Sequence, residues 1–413
     1  MTVIAYFFST FPALSTTFLQ REVRTLQDMG VKPLLAANRS PETGAFHPED
    51  KDLKDQTFYL NPVSPVKYLK SNLRLFIKYP KNYIKGIKLA LALKDNYPRQ
   101  RLRNLARLAG AAFLAEHLMK NKVTHVHVHF AFGAAGVAIL LEALTNIPYS
   151  LSIHGSDVLL PQPLIKEKLK RARFIISNCN FHINNLKAKY SFLYNKPFYL
   201  VPLGINTKTG LWSKAGENIS APELRILNVA RLDPVKAHDI LINACELLEK
   251  KGIAFNCRIV GHGPLMNKLN KMIIEKKLEK KIELMGPKYE AEVVSLFQWS
   301  DVMVLSSLSE GTPMTVIEAM TMGRAVIAPD MTGLPEMVKN LETGYLFNRG
   351  SASDLADKLA VLAENPEIRA EFGKAGRKRA EKLFNHQVNV KKLKDAFTKE
   401  IPGFAQQPED FLF

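Results

Sequence analysis

Two acidic side chains eight residues apart, Glu310 and Glu318, stand where carboxylates could meet a bound ligand. Between them, Pro313 suits the start of a helix. The first N–H groups of such a helix, those of Met314 and Thr315, have no partner inside it and suit a phosphate. Carboxylates on either side of these N–H groups could accept hydrogen bonds from the hydroxyl groups of a ligand. A ligand with a phosphate between two sets of hydroxyl groups is a nucleotide sugar. The plainer interpretation is that Glu310 caps a loop and Glu318 is a solvated helix residue.

The segments around these glutamates predict a strand, a loop, a helix and a second strand. Residues 301–305 and 324–329 are short apolar runs, typical of buried strands. Thr312 is expected to cap the helix, with Pro313 at its first position. Such a unit belongs to a parallel α/β sheet. Glu310 then follows the carboxyl end of its strand, where open α/β sheets bind ligands.

Four motifs follow one another between residues 310 and 347. They are Glu-Gly-x-Pro-x-x-x-x-Glu-Ala-Met, Gly-Arg-Ala-Val-Ile-Ala, Gly-Leu-Pro-Glu and Glu-Thr-Gly-Tyr-Leu-Phe. The set resembles the donor-site signature of the retaining glycosyltransferases of family 4, the glycosyl transferases group 1. That resemblance implies an α/β protein of the GT-B fold, with two Rossmann-like domains facing each other across a cleft.

The same resemblance implies how this part of the chain would hold a nucleotide-diphosphate sugar. Glu310 would hydrogen-bond sugar hydroxyls as a catalytic residue, and Glu318 would bind the ribose. Gly311 and the amides of Met314 and Thr315 would complete the donor site around the phosphates. The reaction would retain the anomeric configuration, and no metal or other cofactor is expected.

Two cations and two glycines extend this donor site. Arg231 ends a predicted strand and Lys236 follows on the loop, an arrangement that suits a diphosphate. The order Arg-Leu-x-x-x-Lys matches the family, although Ala237 stands where the family usually has glycine. Gly261 and Gly263 form a turn that, in the family, lies along the nucleotide. The third glycine of a dinucleotide fingerprint is absent, so a nicotinamide site is not expected.

In the first half of the chain, a His-Gly-x-Asp segment follows a predicted strand over 148–153. It resembles the family motif whose histidine faces the donor sugar. By that resemblance His154 contacts the sugar at the reacting centre, and Asp157 either holds the loop or meets the acceptor. Both are counted among the catalytic residues, and Gly155 permits close approach of the backbone.

Three alternating histidines, His125, His127 and His129, share one face of a predicted strand and could in principle bind zinc. No carboxylate or cysteine lies nearby in the sequence, so a metal site is not expected. By resemblance His129 lies on the acceptor side, and the other two make packing or polar contacts. The opening Phe-Pro-x-x-Ser-x-Thr-Phe, followed by Glu22, resembles family-4 enzymes that assemble bacterial exopolysaccharides, which places Ser15 on the acceptor side.

The net charge of +18 is concentrated in one half of the chain. Residues 1–205 carry +16 and the remainder carries +2, so an anionic partner is expected for the first half alone. We expect an acceptor-binding, membrane-facing domain over 1–205 and a nucleotide-sugar domain over 206–383. Residues 384–413 are expected to form a helix that crosses back to the first domain, as in relatives.

A predicted helix near residues 66–81 has a cationic stripe beside an apolar stripe. The cations are Lys67, Lys70, Arg74, Lys78 and Lys81, and the apolar residues are Val66, Leu69, Leu73, Phe76 and Ile77. One interpretation is an interfacial helix on an anionic membrane. The other is an ordinary amphipathic helix whose apolar side faces the domain core. The two are compatible if the apolar stripe points inward and the lysines point to lipid.

Several classes of protein are disfavoured. Three cysteines without paired spacing indicate a reducing compartment, and neither a leader peptide nor a spanning segment is predicted. A nucleic-acid-binding protein is disfavoured because the positive charge is not interleaved with a base-stacking module. An epimerase or phosphorylase of the same fold remains an alternative. We therefore expect a cytoplasmic hexosyltransferase, peripheral on the inner face of the cytoplasmic membrane, acting on a glycan or a polyprenyl-diphosphate-linked acceptor.

Overall fold

The chain forms two compact units, each built on its own parallel sheet. The computed structural model describes residues 2–42, 44–94, 99–207, 211–213 and 223–404. The first unit comprises residues 1–201 and the segment from Val390 onward, and the second comprises Pro202–Asn389. These bounds follow the internal packing of each unit, so the last part of the chain belongs with the first.

The first unit contains a seven-stranded sheet in the order β3-β2-β1-β4-β5-β6-β7, with every pair parallel. The strands are β1 (Val3–Thr10), β2 (Leu34–Arg39), β3 (Phe58–Asn61), β4 (Val123–His129), β5 (Tyr149–Ile153), β6 (Ile175–Ser177) and β7 (Phe198–Leu200). Because all strands run the same way, their carboxyl ends share one edge of the sheet, and loops that leave β4 and β5 meet there.

Helices cover both faces of this sheet, so both faces of its central strands are buried. They are α1 (Thr17–Asp28), α2 (Lys51–Gln56), α3 (Pro65–Lys78), α4 (Pro80–Ala92), α5 (Gln100–Lys120), α6 (Gly133–Thr145), α7 (Ser156–Leu159), α8 (Ile165–Arg171) and α9 (Asn180–Lys189). The middle of α6 is almost entirely buried between the sheet and its neighbours, as its unbroken apolar sequence requires.

The second unit contains a six-stranded parallel sheet in the order β10-β9-β8-β11-β12-β13. Its strands are β8 (Leu224–Val229), β9 (Phe255–Val260), β10 (Ile282–Leu284), β11 (Val302–Val304), β12 (Ala325–Pro329) and β13 (Gly344–Phe347). Its helices are α10 (His238–Lys250), α11 (Met266–Glu275), α12 (Glu290–Trp299), α13 (Met314–Thr321), α14 (Leu334–Met337), α15 (Ala352–Glu364) and α16 (Pro366–Leu383).

The last helix, α17 (His386–Glu400), begins in the second unit and packs within the first from Val390 onward. Leu393 and Phe397 are fully buried among the side chains that β1 sends to that face. The hydroxyl of Thr2 donates to the carbonyl of Pro402 at 2.8 Å. Both ends of the described chain therefore complete one core.

Residues 40–65 are rich in proline, aspartate and lysine, a composition typical of loops, yet they contain α2 and the edge strand β3. Strand β3 has little signal in the sequence because it is only four residues long and is followed directly by Pro62. The aspartates at the start of α2 have a structural role. Asp50 and Asp52 both pair with Arg24, which lowers the pKa of the Asp52 carboxyl.

Helix α3 does not bury the apolar stripe identified in the sequence. Leu69 and Ile77 are each 70% exposed. The helix instead packs through Ser71 and Leu75, and the Ser71 hydroxyl donates to the carbonyl of Ala112 at 3.4 Å. The inward-facing version of the amphipathic interpretation is therefore wrong, because the buried side of α3 carries Ser71 and Leu75 and not the predicted stripe. Among the described helices, every one is too short or too polar to cross a membrane.

Candidate functional site

In the second unit, the carboxylate of Glu310 is held in the loop that follows β11. Its Oε1 atom accepts hydrogen bonds from Lys236 Nζ at 2.6 Å and from the Ser307 hydroxyl at 2.5 Å. Only 7% of the side chain is exposed. Within the described residues, no hydrogen bond reaches Oε2. One oxygen is thus fixed by the protein, and the other remains as an acceptor for a ligand.

The loop that carries Lys236 is fastened to the Glu310 loop by two further hydrogen bonds. The Ser306 hydroxyl donates to the carbonyl of Lys236 at 2.9 Å, and the N–H of Leu308 donates to the carbonyl of Val235 at 2.8 Å. Lys236 was predicted as a diphosphate ligand, and the structure adds its ion pair with Glu310. Residues 74 positions apart cannot be paired from one sequence, so this contact was missed.

Helix α13 begins one residue later than predicted. Pro313 occupies the N-cap position in an extended conformation and Met314 is the first helical residue. Thr312 is therefore not the cap, and its hydroxyl has no hydrogen-bond partner among the described residues. The N–H groups of Met314 and Thr315 precede the first intrahelical bond, as expected for a phosphate site. Glu318 lies on the same helix and is partly exposed.

The glycine turn after β9 packs directly against the loop that follows β8. A Cβ atom at Gly261 would stand 1.9 Å from the carbonyl oxygen of Ala230, and one at Gly263 would stand 2.6 Å from that of Leu232. Only glycine allows this approach. The turn therefore supports the loop of Arg231, whose side chain is 69% exposed and pairs with Asp233 at 2.8 Å.

Two features beside Lys236 were not predicted. Ala237 has a φ of +46°, the left-handed region that favours glycine, and this explains the usual glycine of the family. His238, the first residue of α10, is fully buried, and neither ring nitrogen has a partner among the described residues. Burial, reinforced by the charge of Lys236, lowers the pKa of His238 to about 4. The imidazole is therefore neutral at physiological pH.

In the first unit, Asp157 organises the loops that leave β4 and β5. Its carboxylate is fully buried and accepts hydrogen bonds from the N–H groups of Ala131, His154 and Gly155, each at 2.9 Å. Burial raises the pKa of Asp157, and the three N–H groups oppose that rise. Asp157 thus holds the His154 loop in place.

His154 lies next to His129, with 3.4 Å between the Nε2 atom of His154 and the Nδ1 atom of His129. His129 is fully buried, and its Nε2 atom lies 3.3 Å from the Oε1 atom of Glu22. Burial lowers the pKa of His154 well below the ordinary value. The predicted acceptor-side residue His129 therefore sits between His154 and a glutamate that was not proposed as a site residue.

The other two histidines of β4 make polar contacts inside the sheet. His125 is bonded to the Ser150 hydroxyl at 2.9 Å, and His127 to the Ser150 and Ser152 hydroxyls at 2.8 Å each. Burial lowers the pKa of His125 to about 3. No cluster of three histidine, cysteine, aspartate or glutamate side chains suited to a metal occurs among the described residues.

Ser15, the remaining predicted site residue, lies on a short 3₁₀ turn, Leu14–Thr16. Its side chain is outside the described part of the chain, so its role stays a prediction. Gly311 lies between Glu310 and α13 as the motif requires. The predicted donor residues thus gather at the ends of β8, β9 and β11, while His129, His154 and Asp157 gather in the first unit.

Two protein-family models match the chain, one in each half. Glycosyltransferase Family 4 matches residues 16–209, and Glycosyl transferases group 1 matches residues 213–379. The chain belongs to glycosyltransferase family 4. The predicted family is therefore confirmed, and the enzyme is a glycosyltransferase.

Curated relatives of this family-4 chain include proteins from archaea and bacteria. An uncharacterised glycosyltransferase of Methanocaldococcus jannaschii is 28% identical over 335 residues, 78% of this chain and 88% of the relative. The amylovoran biosynthesis glycosyltransferase AmsK of Erwinia amylovora is 32% identical over 176 residues, which cover 41% of this chain and 43% of AmsK. The match to AmsK thus spans less than half of either protein.

Solved structures share the fold over nearly the whole chain. HepE of Anabaena, crystallised with UDP-glucose, aligns with a TM-score of 0.69 at 16% identity, covering 96% of this chain and 99% of HepE. This similarity, with the two parallel sheets, confirms the predicted GT-B class of two Rossmann-like domains.

Proposed function

We propose that this family-4 enzyme transfers a hexosyl unit, with retention, from a nucleotide-diphosphate sugar to a hydroxyl of a growing cell-surface glycan. The observation that carries the proposal is the Glu310 carboxylate, oriented through one oxygen by Lys236 and Ser307 and open at the other. The match to the amylovoran enzyme supports a polysaccharide acceptor, and the fold shared with a UDP-glucose complex supports a nucleotide-sugar donor.

The donor pocket is proposed to divide its work between anion binding and hydroxyl binding. Glu310 Oε2 accepts hydrogen bonds from sugar hydroxyls, and Glu318 accepts them from the ribose. Arg231, Lys236 and the N–H groups at the start of α13 receive the diphosphate. As the bond from the anomeric carbon to the phosphate breaks, negative charge builds on the leaving diphosphate, and these groups stabilise it. Since side chains and amides supply that positive charge, we expect no metal requirement.

Attack is proposed to occur on the face from which the diphosphate leaves. The acceptor hydroxyl oxygen forms the new bond to the anomeric carbon, the bond to the phosphate oxygen breaks, and the hydroxyl proton passes to the departing phosphate. Retention follows because both oxygens occupy the same face. His154 contacts the sugar from the first unit, and Asp157 keeps the His154 loop in position.

A donor screen tests this function. UDP-, GDP- and ADP-sugars are offered to the enzyme in thermal-shift measurements, and the one that raises the melting temperature is incubated with and without a glycan acceptor. We expect a product of retained anomeric configuration, formed only with acceptor and unaffected by EDTA. Conversion of the nucleotide sugar into an epimer without acceptor would instead assign an epimerase.

We also propose that the first unit docks on an anionic membrane that carries a lipid-linked acceptor, a polyprenyl diphosphate. The exposed apolar residues of α3 are accompanied by a cavity of about 370 Å³. The cavity is lined by Phe58, Lys67, Lys70, Arg74, Phe113, Glu116, His117 and Lys120. Lys67, Lys70 and Lys120 have no anionic partner among the described residues, which suits them to lipid phosphate groups.

Vesicle flotation tests the docking. The enzyme should float with phosphatidylglycerol vesicles at low salt, and far less with phosphatidylcholine vesicles or at high salt. Leu69→Ser with Ile77→Ser, or Lys67→Glu with Lys70→Glu, should reduce binding. Lys280→Glu, an exposed lysine of the second unit, is the matched control and should bind as wild type. Equal vesicle binding by all variants would show that the α3 face of the first unit is not the membrane-docking surface.

A further inference from the structure

A chain of four polar groups runs through the buried side of the His154 site. The Tyr6 hydroxyl donates to Oε1 of Glu22 at 3.1 Å, and the same oxygen lies 3.3 Å from Nε2 of His129. On the far side of the ring, Nδ1 of His129 lies 3.4 Å from Nε2 of His154. Tyr6 and His129 are fully buried and Glu22 nearly so, hence water does not interrupt the chain.

The two imidazoles meet in the geometry of a hydrogen bond. Their ring planes differ by 18°, and their centroids are 5.6 Å apart. That separation exceeds the 3.4 Å between the facing nitrogens by about two ring radii, as expected for coplanar rings that touch edge to edge. One of these two nitrogens therefore carries a proton and the other offers a lone pair.

Glu22 decides which nitrogen that is. We propose that Glu22 is a positioning residue that fixes the tautomer of His154 through His129. A carboxylate can only accept hydrogen bonds, and this one accepts from the Tyr6 hydroxyl. Nε2 of His129 has no hydrogen-bond partner among the described residues, but the negative charge of Glu22 3.3 Å away stabilises a proton there. With that single proton on Nε2, His129 has its lone pair on Nδ1, which accepts the Nε2–H of His154. The lone pair of His154 consequently lies on Nδ1.

Two observations agree with this direction. Burial, with Glu22 beside it, raises the pKa of Tyr6 well above its usual value, so the phenol keeps the proton that it donates. Nδ1 of His154 is buried and has no hydrogen-bond partner among the described residues. A buried acceptor without a donor is unfavourable, so the site is prepared for a ligand group that donates.

The inference deepens the proposed function and rests on it for the identity of that donor, a hydroxyl of the bound sugar or acceptor. The tautomer itself does not depend on the reaction. The neighbouring pair His125 and His127 offers a contrast, because it is bonded to the Ser150 and Ser152 hydroxyls, which rotate to donate or accept. Those serines impose no direction, whereas Glu22 does.

Nitrogen NMR of the full-length, ligand-free enzyme labelled with ¹⁵N-histidine tests the tautomer. Protonated and unprotonated ring nitrogens have well separated shifts, and loss of signals in His154→Asn assigns those of His154. We expect a proton on Nε2 and none on Nδ1 of His154 in the wild type. A proton on Nδ1 of His154, or a doubly protonated His129, would overturn the proposal, and this result needs no variant of Glu22.

Two variants then test whether Glu22 is the cause of the His154 tautomer. Glu22→Met removes the acceptor at similar size and should give His154 a mixture of tautomers, with kcat/KM lowered about tenfold, the worth of one substrate hydrogen bond. Tyr6→Phe removes the other hydrogen bond of Glu22 and should leave the tautomer unchanged and kcat/KM within about twofold. An unchanged His154 tautomer in a folded Glu22→Met variant would also overturn the proposal. If the wild-type NMR spectrum shows the expected tautomer but no nucleotide sugar binds in the donor screen, only the proposed reaction is rejected.

Discussion

The two candidate sites differ in how their polar groups are held. In the second unit, Glu310 and Lys236 are opposite charges on adjacent loops, with 7% and 19% of their side chains exposed. In the first unit, the imidazoles of His154 and His129 are buried side by side, and Glu22 lies beside His129. Paired charges suit an anionic diphosphate, whereas imidazoles, each able to donate and accept, suit an uncharged hydroxyl. The two sites thus differ in the charge of their polar groups rather than in burial.

The largest expected effect tests the charged site. Glu310→Ala removes the oriented acceptor and leaves Lys236 without its partner, and we expect kcat to fall about 10²–10³-fold. Steady-state turnover measures the effect, and circular dichroism checks that the fold is intact. Ser307→Ala, which keeps the ion pair, serves as the control with a much smaller loss. Full activity in a folded Glu310→Ala variant would show that turnover does not depend on the charged site of the second unit.

The next effect concerns the scaffold of the charged site. Gly261→Ala forces a Cβ atom against the carbonyl of Ala230, and we expect the free energy of unfolding to fall by about 3 kcal/mol. Gly252→Ala is the matched control. Gly252 has a φ of +70° with no atom within 4 Å of the added Cβ, so its cost of about 1 kcal/mol is conformational only. Urea denaturation measures the loss of unfolding free energy in each variant. Equal losses would show that the turn at Gly261 can shift to accommodate a Cβ atom.

Asp157→Asn examines the loop scaffold of the His154 site. The carboxylate now accepts hydrogen bonds from three backbone N–H groups, and the new amide would turn an NH₂ group toward one of them. Because two donors would then face each other, we expect a loss of about 2 kcal/mol in the free energy of unfolding. Chemical denaturation measures it. A variant as stable as wild type would mean that the loops do not depend on this carboxylate.

The last prediction is a pH dependence of stability, which has no effect at neutral pH and grows only as the solution is acidified. His125 has a folded pKa of about 3, below that of the unfolded chain, so the unfolded state binds the proton first as pH falls. Stability should therefore be complete above about pH 6.5 and decline toward pH 3, by about 1.4 kcal/mol per pH unit for this group. Denaturation of His125→Asn between pH 6 and pH 4 should show a slope shallower by that amount. An unchanged slope would contradict the neutral, buried state of His125.

The sequence predicted the fold because its signals are local or belong to the family. The apolar runs over 301–305 and 324–329 became β11 and β12 with their flanking residues, and the motifs placed Glu310 and α13 correctly within one residue. The GT-B class and the family are confirmed, whereas the roles of individual site residues stay predictions.

Contacts across long separations were beyond the sequence. Nothing local indicates that Lys236 pairs with Glu310 or that Glu22 reaches His129. The inward-facing interpretation of α3 failed because periodicity shows that a helix has two sides, and neighbouring helices decide which one is buried. The buried side of α3 carries Ser71 and Leu75.

The dependence of the first unit on α17 has a consequence for synthesis of the chain. Its core lacks Leu393 and Phe397 until α17 has been synthesised and has left the ribosome. A stalled or prematurely terminated product ending before α17 would leave the aromatic face of β1 uncovered, a surface that chaperones and proteases engage. Arrival of α17 thus marks the point in synthesis at which the first unit can complete its core and escape those factors.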